Sequence, residues 1–184
     1  MAWYGYEWEA FNATTEDGCI LTIFHIIRKT GSDFKPTRPE VPILIMHSSM
    51  MDGTSWFVLR DAFGSDNIPL PIALWRAGYD VWIGNSRGTK YSLKTEPSTP
   101  GPENASYWDY SLDVGQLDST AFIELIKNQT GREMVNYVGY ATGNMQMFYT
   151  LATDTTGYFE QNINKFIALA PCILEAIPVE TTER

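Results

Sequence analysis

The feature that most constrains the fold is a series of four short apolar runs separated by segments with helical patterns. The runs are Ile43–Met46, Tyr79–Ile83, Met134–Val138 and Lys165–Leu169. Each run is short and bounded by turn or polar residues, which is typical of strands that are covered on both faces. Strands that alternate with helices predict a mainly parallel sheet with right-handed crossovers. We therefore expect an α/β fold.

The N-terminal part of the chain has a different pattern. Residues 8–14 and 19–28 are rich in β-branched and aromatic side chains, and Glu16-Asp17-Gly18 between them has the composition of a turn. This arrangement predicts an antiparallel hairpin. Three prolines indicate that residues 31–42 form no regular element, and the composition of residues 90–106 indicates a surface loop.

Helices are expected at residues 55–62, 71–77 and 144–153, and the most regular helical pattern ends at Lys127. Asp109 or Ser111 is the expected cap of that last helix. Gly131 stands where a residue that terminates a helix belongs. The chain contains no repeats and no internal linker, so we expect residues 1–184 to form a single domain.

Composition excludes several classes of protein. The 184 residues are 44% hydrophobic, enough for one sizeable core. The net charge is −9 and the 13 basic residues are scattered, so we expect no nucleic-acid partner. No apolar run approaches the roughly 18 residues needed to span a bilayer. The N-terminus lacks the basic and apolar regions of a signal peptide, so we expect neither a membrane span nor a secretory precursor.

The cysteines and the glycosylation motifs carry little information about the compartment. Cys19 and Cys172 lie far apart and have no metal-ligand spacing, so we expect no disulfide, no metal and no cofactor. Three N-x-S/T motifs occur, at Asn12, Asn104 and Asn128. About one or two would arise by chance at this composition. They favour a secretory lumen only slightly.

One pentapeptide has the pattern of a catalytic site. Gly139-Tyr140-Ala141-Thr142-Gly143 lies between an expected strand and an expected helix, which is the context of the nucleophile elbow G-x-S-x-G. The elbow turns so sharply that a side chain at either flanking position would meet the neighbouring strand or helix. Its central residue should be the serine that attacks an ester carbonyl. Here that residue is Ala141, whose methyl group cannot attack, and Thr142 is not expected to replace it.

Several other segments resemble a known family. They are Thr14-Thr15-Glu16-Asp17-Gly18-Cys19-Ile20-Leu21, Ala77-Gly78-Tyr79-Asp80-Val81-Trp82-Ile83-Gly84-Asn85-Ser86-Arg87-Gly88, Tyr107-Trp108-Asp109-Tyr110-Ser111, Tyr137-Val138-Gly139 and Ala168-Leu169-Ala170-Pro171. In order and spacing the chain resembles the acid lipase family, which includes lysosomal acid lipase and gastric lipase. The resemblance implies an α/β-hydrolase fold. It also implies a secretory or lysosomal lumen, although an organellar assembly is an alternative.

Active members of that family cleave triacylglycerols and steryl esters with serine, aspartate and histidine in that chain order. The resemblance covers only their first half, so we expect a partial fold without the cap and the last strands. The only histidines, His25 and His47, precede the elbow. No histidine after Ala141 can therefore serve as the general base.

The oxyanion loop also departs from the family. His47-Ser48-Ser49-Met50 stands where the family has His-Gly-Leu-Leu. By resemblance, the backbone N–H groups of Ser49 and Thr142 would occupy the donor positions. Ser48 replaces a glycine and would resist a positive φ. His47 either shapes this loop or is a half-buried residue at a strand end, and His25 is most simply structural.

These departures lead to three hypotheses about function. The first is a catalytically inactive, lipase-like protein that acts as a structural or interaction subunit of a larger assembly. A protein partner would then cover the open edge of the sheet. The second is a mutated or partial form of a triacylglycerol or steryl ester lipase whose C-terminal half lies in another chain. The third is a lipid-binding module without turnover. The vestigial catalytic positions would be Ala141, Thr142, Ser49 and His47.

Overall fold

The computed structural model describes residues 5–33, 37–58 and 68–172, which are arranged around one mixed sheet. Its seven strands are β1 (Tyr6–Thr14), β2 (Cys19–Lys29), β3 (Arg38–Met46), β4 (Tyr79–Gly84), β5 (Lys94–Thr95), β6 (Val135–Tyr140) and β7 (Ile163–Leu169). Their order across the sheet is β1-β2-β4-β3-β6-β7, and the short β5 pairs with β2. Strands β4, β3, β6 and β7 run parallel to one another. The expected α/β fold with a mainly parallel sheet is confirmed.

The N-terminal hairpin is also confirmed. Strands β1 and β2 pair antiparallel from Tyr6 opposite Lys29 to Thr14 opposite Ile20. Strand β2 then pairs antiparallel with β4, where His25 lies opposite Trp82. The hairpin thus extends the parallel sheet on one side.

Strand β3 corrects the expectation that residues 31–42 contain no regular element. It begins at Arg38, which pairs with Tyr79, and its next partnered residue is Ile43, opposite Val81. Pro39 and Pro42 fall inside this irregular stretch of the pairing. Proline has no backbone N–H to donate, so it is tolerated in a strand where the ladder is interrupted.

The described residues include four α-helices that connect the strands: α1 (Leu70–Arg76), α2 (Val114–Thr130), α3 (Thr142–Thr153) and α4 (Tyr158–Asn162). Helix α2 begins at Val114 after Asp113, so neither Asp109 nor Ser111 is its cap. The Ser111 hydroxyl instead donates to Asp113 at 2.6 Å. Gly131 ends the helix with φ +67°, as its position in the sequence indicated.

Three further differences are local. Residues 53–57 form a 3₁₀-helix, whereas a helix was expected from Ser55 to Ala62, whose residues 59–62 lie outside the described part. The loop expected at 90–106 contains the two-residue strand β5, and a second 3₁₀-helix, Ala105–Trp108, begins inside it. Helix α4 was not expected. Elements of two to five residues have too few positions to show a period in sequence.

Two apolar layers cover the two faces of the sheet. Alternate residues of β3 and β4 face opposite layers, as the period of two in a strand requires. Leu44 and Trp82 pack with Phe122 of α2 on one face, while Ile45 and Ile83 pack with Trp75 of α1 on the other. Because β3, β4 and β6 run parallel, the loops that follow these three strands lie at the same end of the sheet. None of the helices in the described residues combines the length and apolarity needed to cross a membrane.

Candidate active site

Ala141 occupies a strained backbone turn between β6 and α3. Its φ is 46° and its ψ is −107°. Residues other than glycine rarely adopt a positive φ, and those that do are concentrated at functional turns. The Ala141 N–H donates to the Leu169 carbonyl at 3.1 Å, which ties the turn to the end of β7. The backbone is therefore that of a nucleophile elbow, with a methyl group at the position of the attacking side chain.

Both elbow glycines are required by close packing. A Cβ on Gly139 would lie 2.4 Å from Asn144 Oδ1 and 2.9 Å from the Asn144 nitrogen. A Cβ on Gly143 would lie 2.8 Å from the His47 carbonyl oxygen. The first turn of α3 thus packs directly against the end of β3, in agreement with the reason given for the two glycines.

Two buried polar side chains form hydrogen bonds at the elbow, and neither hydrogen bond was predicted from the sequence. Tyr137 on β6 donates its hydroxyl proton to the Gly143 carbonyl at 2.9 Å. Asn144 on α3 donates from Nδ2 to the Leu169 carbonyl at 2.7 Å. Both side chains are fully buried. Nothing in the local sequence distinguishes them from ordinary core and helix residues.

Three hydroxyl groups meet between the elbow and the oxyanion loop, residues 47–50. Thr142 Oγ1 donates to Ser49 Oγ at 2.9 Å, and Ser48 Oγ lies 3.3 Å from Thr142 Oγ1. We call Ser48, Ser49 and Thr142 the hydroxyl cluster. Sequence analysis placed Ser49 and Thr142 at this site through their backbone N–H groups, but it did not anticipate the contacts between the side chains.

The oxyanion loop turns without a glycine at position 48. Ser48 is not among the described residues with positive φ, whereas Met50 has φ 59°. The left-handed residue of the loop is therefore Met50, whose side chain is fully exposed. Because the strain falls on Met50, Ser48 avoids the conformation that it would resist.

His47 links the loop after β3 to the loop after β4. Its Nε2 accepts from the Ser86 N–H at 3.1 Å, so this nitrogen carries no proton. Its Nδ1 therefore carries the proton and donates to the Ser48 carbonyl at 2.7 Å. Burial lowers the pKa of His47, against the smaller opposing effect of the Ser48 hydrogen bond. Both nitrogens are engaged, so the ring is neutral and supports the loops.

A cavity of about 400 Å³, which we call the oxyanion cleft, lies beside the hydroxyl cluster. Its lining combines polar residues, namely His47, Ser48, Ser49, Asp52, Ser86, Arg87, Thr89, Lys90, Thr142 and Gln146, with Met50, Met51, Tyr110 and Gly88. Lys90 and Asp52 form an ion pair across it at 3.2 Å. The cleft therefore differs from an apolar acyl pocket.

His25 is not part of this site. It lies within β2, where Nε2 is 2.6 Å from Asp80 Oδ1 and the ring stacks on Trp82 at 3.9 Å. Trp82 Nε1 donates to the other Asp80 oxygen at 3.0 Å. Both Asp80 oxygens are thus engaged, which agrees with a structural role for His25.

Comparison with known proteins shows homology to lipases. Residues 1–60 match the family model of the partial alpha/beta-hydrolase lipase region. The chain is 33% identical to human lipase member K over 177 residues, which is 94% of this chain. It is 33% identical to gastric triacylglycerol lipase of Rattus norvegicus over 173 residues, which is 93% of this chain. Over nearly its whole length the chain is a homologue of these lipases.

This lipase homologue spans 41% of the length of each of those two relatives. Solved structures agree on the fold. An esterase of Pyrococcus furiosus superposes with TM-score 0.57 at 17% identity, over 90% of this chain and 52% of that one. Naproxen esterase from Bacillus subtilis superposes with TM-score 0.54 at 11% identity, over 90% of this chain and 44% of that one.

Proposed function

We propose that this lipase homologue is a non-hydrolytic module that serves as a structural or interaction subunit of a larger assembly. The observation that carries the proposal is Ala141, which keeps the strained geometry of the elbow while lacking a nucleophile. A methyl group can neither attack a carbonyl nor be activated by a base. In a serine protease, loss of the nucleophile alone costs on the order of a million-fold in kcat.

The surroundings of Ala141 support the same proposal. A general base must lie within hydrogen-bond reach of the hydroxyl that it deprotonates. His47 is the histidine next to the elbow, and both its nitrogens are occupied by backbone groups. The Thr142 hydroxyl donates to Ser49, which is not a base. The hydroxyls at this site therefore have no activating partner among the described residues.

An interaction role is supported by the far edge of the sheet. Strand β7 pairs with β6, and no strand among the described residues lies on its other side. Parallel sheets are normally covered on both faces, and a strand with an unpaired edge offers its backbone N–H and C=O groups to another chain. Ile167 of β7 is 44% exposed, and Leu151 and Tyr149 of α3 are 40% and 39% exposed. We propose that a protein partner covers this surface, which we call the β7 edge, with an added strand.

The test of the proposal is ester hydrolysis by the protein as isolated and by its Ala141→Ser variant. We expect both proteins to hydrolyse p-nitrophenyl esters and emulsified triacylglycerol at the background rate. Ala141→Gly is the matched control, because it changes the same position without adding a hydroxyl. Equal unfolding midpoints would establish that the serine variant is folded. Hydrolysis by Ala141→Ser above that of Ala141→Gly would overturn the proposal.

A second candidate is a lipase whose remaining catalytic residues lie outside this sequence. It is favoured by the relatives, of which this chain spans 41%. Native and denaturing mass spectrometry of the protein from its source separates the two candidates. A serine at position 141 in that protein, together with a complementary C-terminal segment, would support the lipase. Alanine at position 141 would support the non-hydrolytic module.

A lipid-binding role has less support. The oxyanion cleft contains the ion pair between Lys90 and Asp52 and the guanidinium of Arg87, whereas acyl chains require an apolar wall. Titration of the protein with a fluorescent fatty acid tests this point. We expect no saturable binding.

A further inference from the structure

We propose that Asn104 carries an N-linked glycan. Asn104-Ala105-Ser106 has the form N-x-S, with alanine in the middle position. Asn104 is exposed, in the loop between β5 and α2, at the N-terminus of the 3₁₀-helix Ala105–Trp108. The proposal is independent of the proposed function, because the loop lies outside both Ala141 and the β7 edge. It requires the chain to enter the secretory lumen that the resemblance to acid lipases implies, and so it opposes the expectation drawn from the N-terminus.

The local geometry leaves the reacting atom free. Asn104 Oδ1 accepts two hydrogen bonds, from the Ser106 N–H at 3.0 Å and from the Ser106 hydroxyl at 3.0 Å. The asparagine thus forms a turn closed by its own side-chain oxygen. Its Nδ2 has no hydrogen-bond partner in the part of the chain that the structure describes. Because only the side-chain oxygen of Asn104 forms these hydrogen bonds, the nitrogen can be substituted without breaking either of them.

The covalent step is a group transfer from an oligosaccharide carried on a lipid diphosphate. Asn104 Nδ2 bonds to the anomeric carbon of the first sugar. The bond between that carbon and the diphosphate oxygen breaks, and the lipid diphosphate leaves with the electron pair. The amide nitrogen loses one proton to a base of the transferring enzyme. No oxidant or reductant takes part.

The surroundings of Asn104 suit a sugar. Trp108 ends the same 3₁₀-helix and is 48% exposed. The Trp108 indole is held by a hydrogen bond from Nε1 to the Pro102 carbonyl at 2.9 Å. Pyranose rings have an apolar face that packs on aromatic rings. A glycan on Asn104 would therefore cover aromatic surface that is otherwise open to water.

The other two motifs lie in regular structure. Asn12 is part of β1, paired with Thr22 of β2. Asn128 lies in the last turn of α2, where the Thr130 hydroxyl donates to the Ile126 carbonyl at 2.7 Å. Only the Asn104 motif combines a loop position with a hydroxyl directed at its own asparagine.

The decisive experiment is a peptide map of the protein from its natural source. N-glycans are released enzymatically in water labelled with heavy oxygen, which converts a glycosylated asparagine to labelled aspartate. We expect the label at position 104. Recovery of the peptide only as unlabelled asparagine would overturn the proposal.

Variants test whether the glycan is attached at this motif. The chain is expressed in eukaryotic cells behind a cleavable secretory signal, and glycans are counted by electrophoretic mobility before and after glycosidase treatment. Total protein is scored, so the result does not depend on folding. We expect Asn104→Asp and Ser106→Ala to lose one glycan each, and Ser106→Thr to retain it. The same number of glycans in Ser106→Ala as in the parent chain would contradict the assignment.

Discussion

His47 determines how the two loops beside the elbow depend on pH. Its neutral ring accepts from Ser86 and donates to Ser48, and burial lowers its pKa below the ordinary value of 6.5. On lowering the pH, the unfolded chain therefore takes up this proton before the folded chain does. We expect the free energy of unfolding to fall progressively as the pH drops from about 7.5 to about 5. Urea unfolding at each pH measures it.

The control for this prediction is His47→Ala. It removes both hydrogen bonds and leaves a buried N–H and a buried carbonyl without partners, at a cost of about 1–3 kcal/mol near neutral pH. Because the variant has no imidazole, the gap between the two proteins should narrow as the pH falls. A gap that stays constant between about pH 7.5 and pH 5 would show that His47 is not held neutral.

At the scale of elements, Arg87 joins three parts of the fold. It follows β4, and it bonds to Asp118 of α2 at 2.8 Å and to Asp17 in the hairpin turn at 2.6 Å. Burial opposes the charge of Arg87, but the two carboxylates outweigh it and raise its pKa above the usual range. Burial in turn raises the pKa of Asp118, so that carboxylate depends on its cationic partner.

We expect Arg87→Leu to lower the free energy of unfolding by about 3–5 kcal/mol, because it leaves a buried carboxylate uncompensated. Chemical denaturation measures the change. Arg28→Leu is the matched control, since its ion pair with Glu7 is 2.7 Å long but the two side chains are 57% and 40% exposed. That change should cost less than about 1 kcal/mol. Equal losses in the two variants would refute the role assigned to Arg87.

At the scale of the whole molecule, the β7 edge is the surface from which we predict self-association in solution. An apolar strand with one free edge offers backbone groups to another chain. We expect the isolated chain to self-associate as its concentration rises. Ile167→Lys should shift the sedimentation profile towards the monomer, because a lysine on an exposed edge opposes strand addition.

Val58→Lys is the control for this prediction. Val58 follows the 3₁₀-helix that ends at Phe57 and is 53% exposed. The variant therefore introduces the same charge at a comparably exposed apolar residue. We expect that variant to associate as the parent chain does. A parent chain that remains monomeric over the whole concentration range would count against a partner at the β7 edge.

The sequence contained enough information to predict the hairpin, the alternation of strands and helices, and the elbow with its two glycines. These features depend on periodicity, turn composition and the space available within a few residues, and all of them are local. The assignment of Ala141 to the nucleophile position rests on the pentapeptide together with the other segments that resemble the acid lipase family. The early start of β3 was missed because the irregular pairing that tolerates its prolines depends on β4.

Only the tertiary structure could show what surrounds Ala141. Thr142 meets Ser49, 93 residues earlier in the chain, and Ser86 bonds to His47, 39 residues earlier. Such contacts depend on how strand ends meet across the sheet, which local pattern does not encode. The sequence determined that an alanine stands at the centre of the pentapeptide. The folded chain decided that the neighbouring histidine is neutral and engaged, because hydrogen bonds between distant loops fix its protonation state.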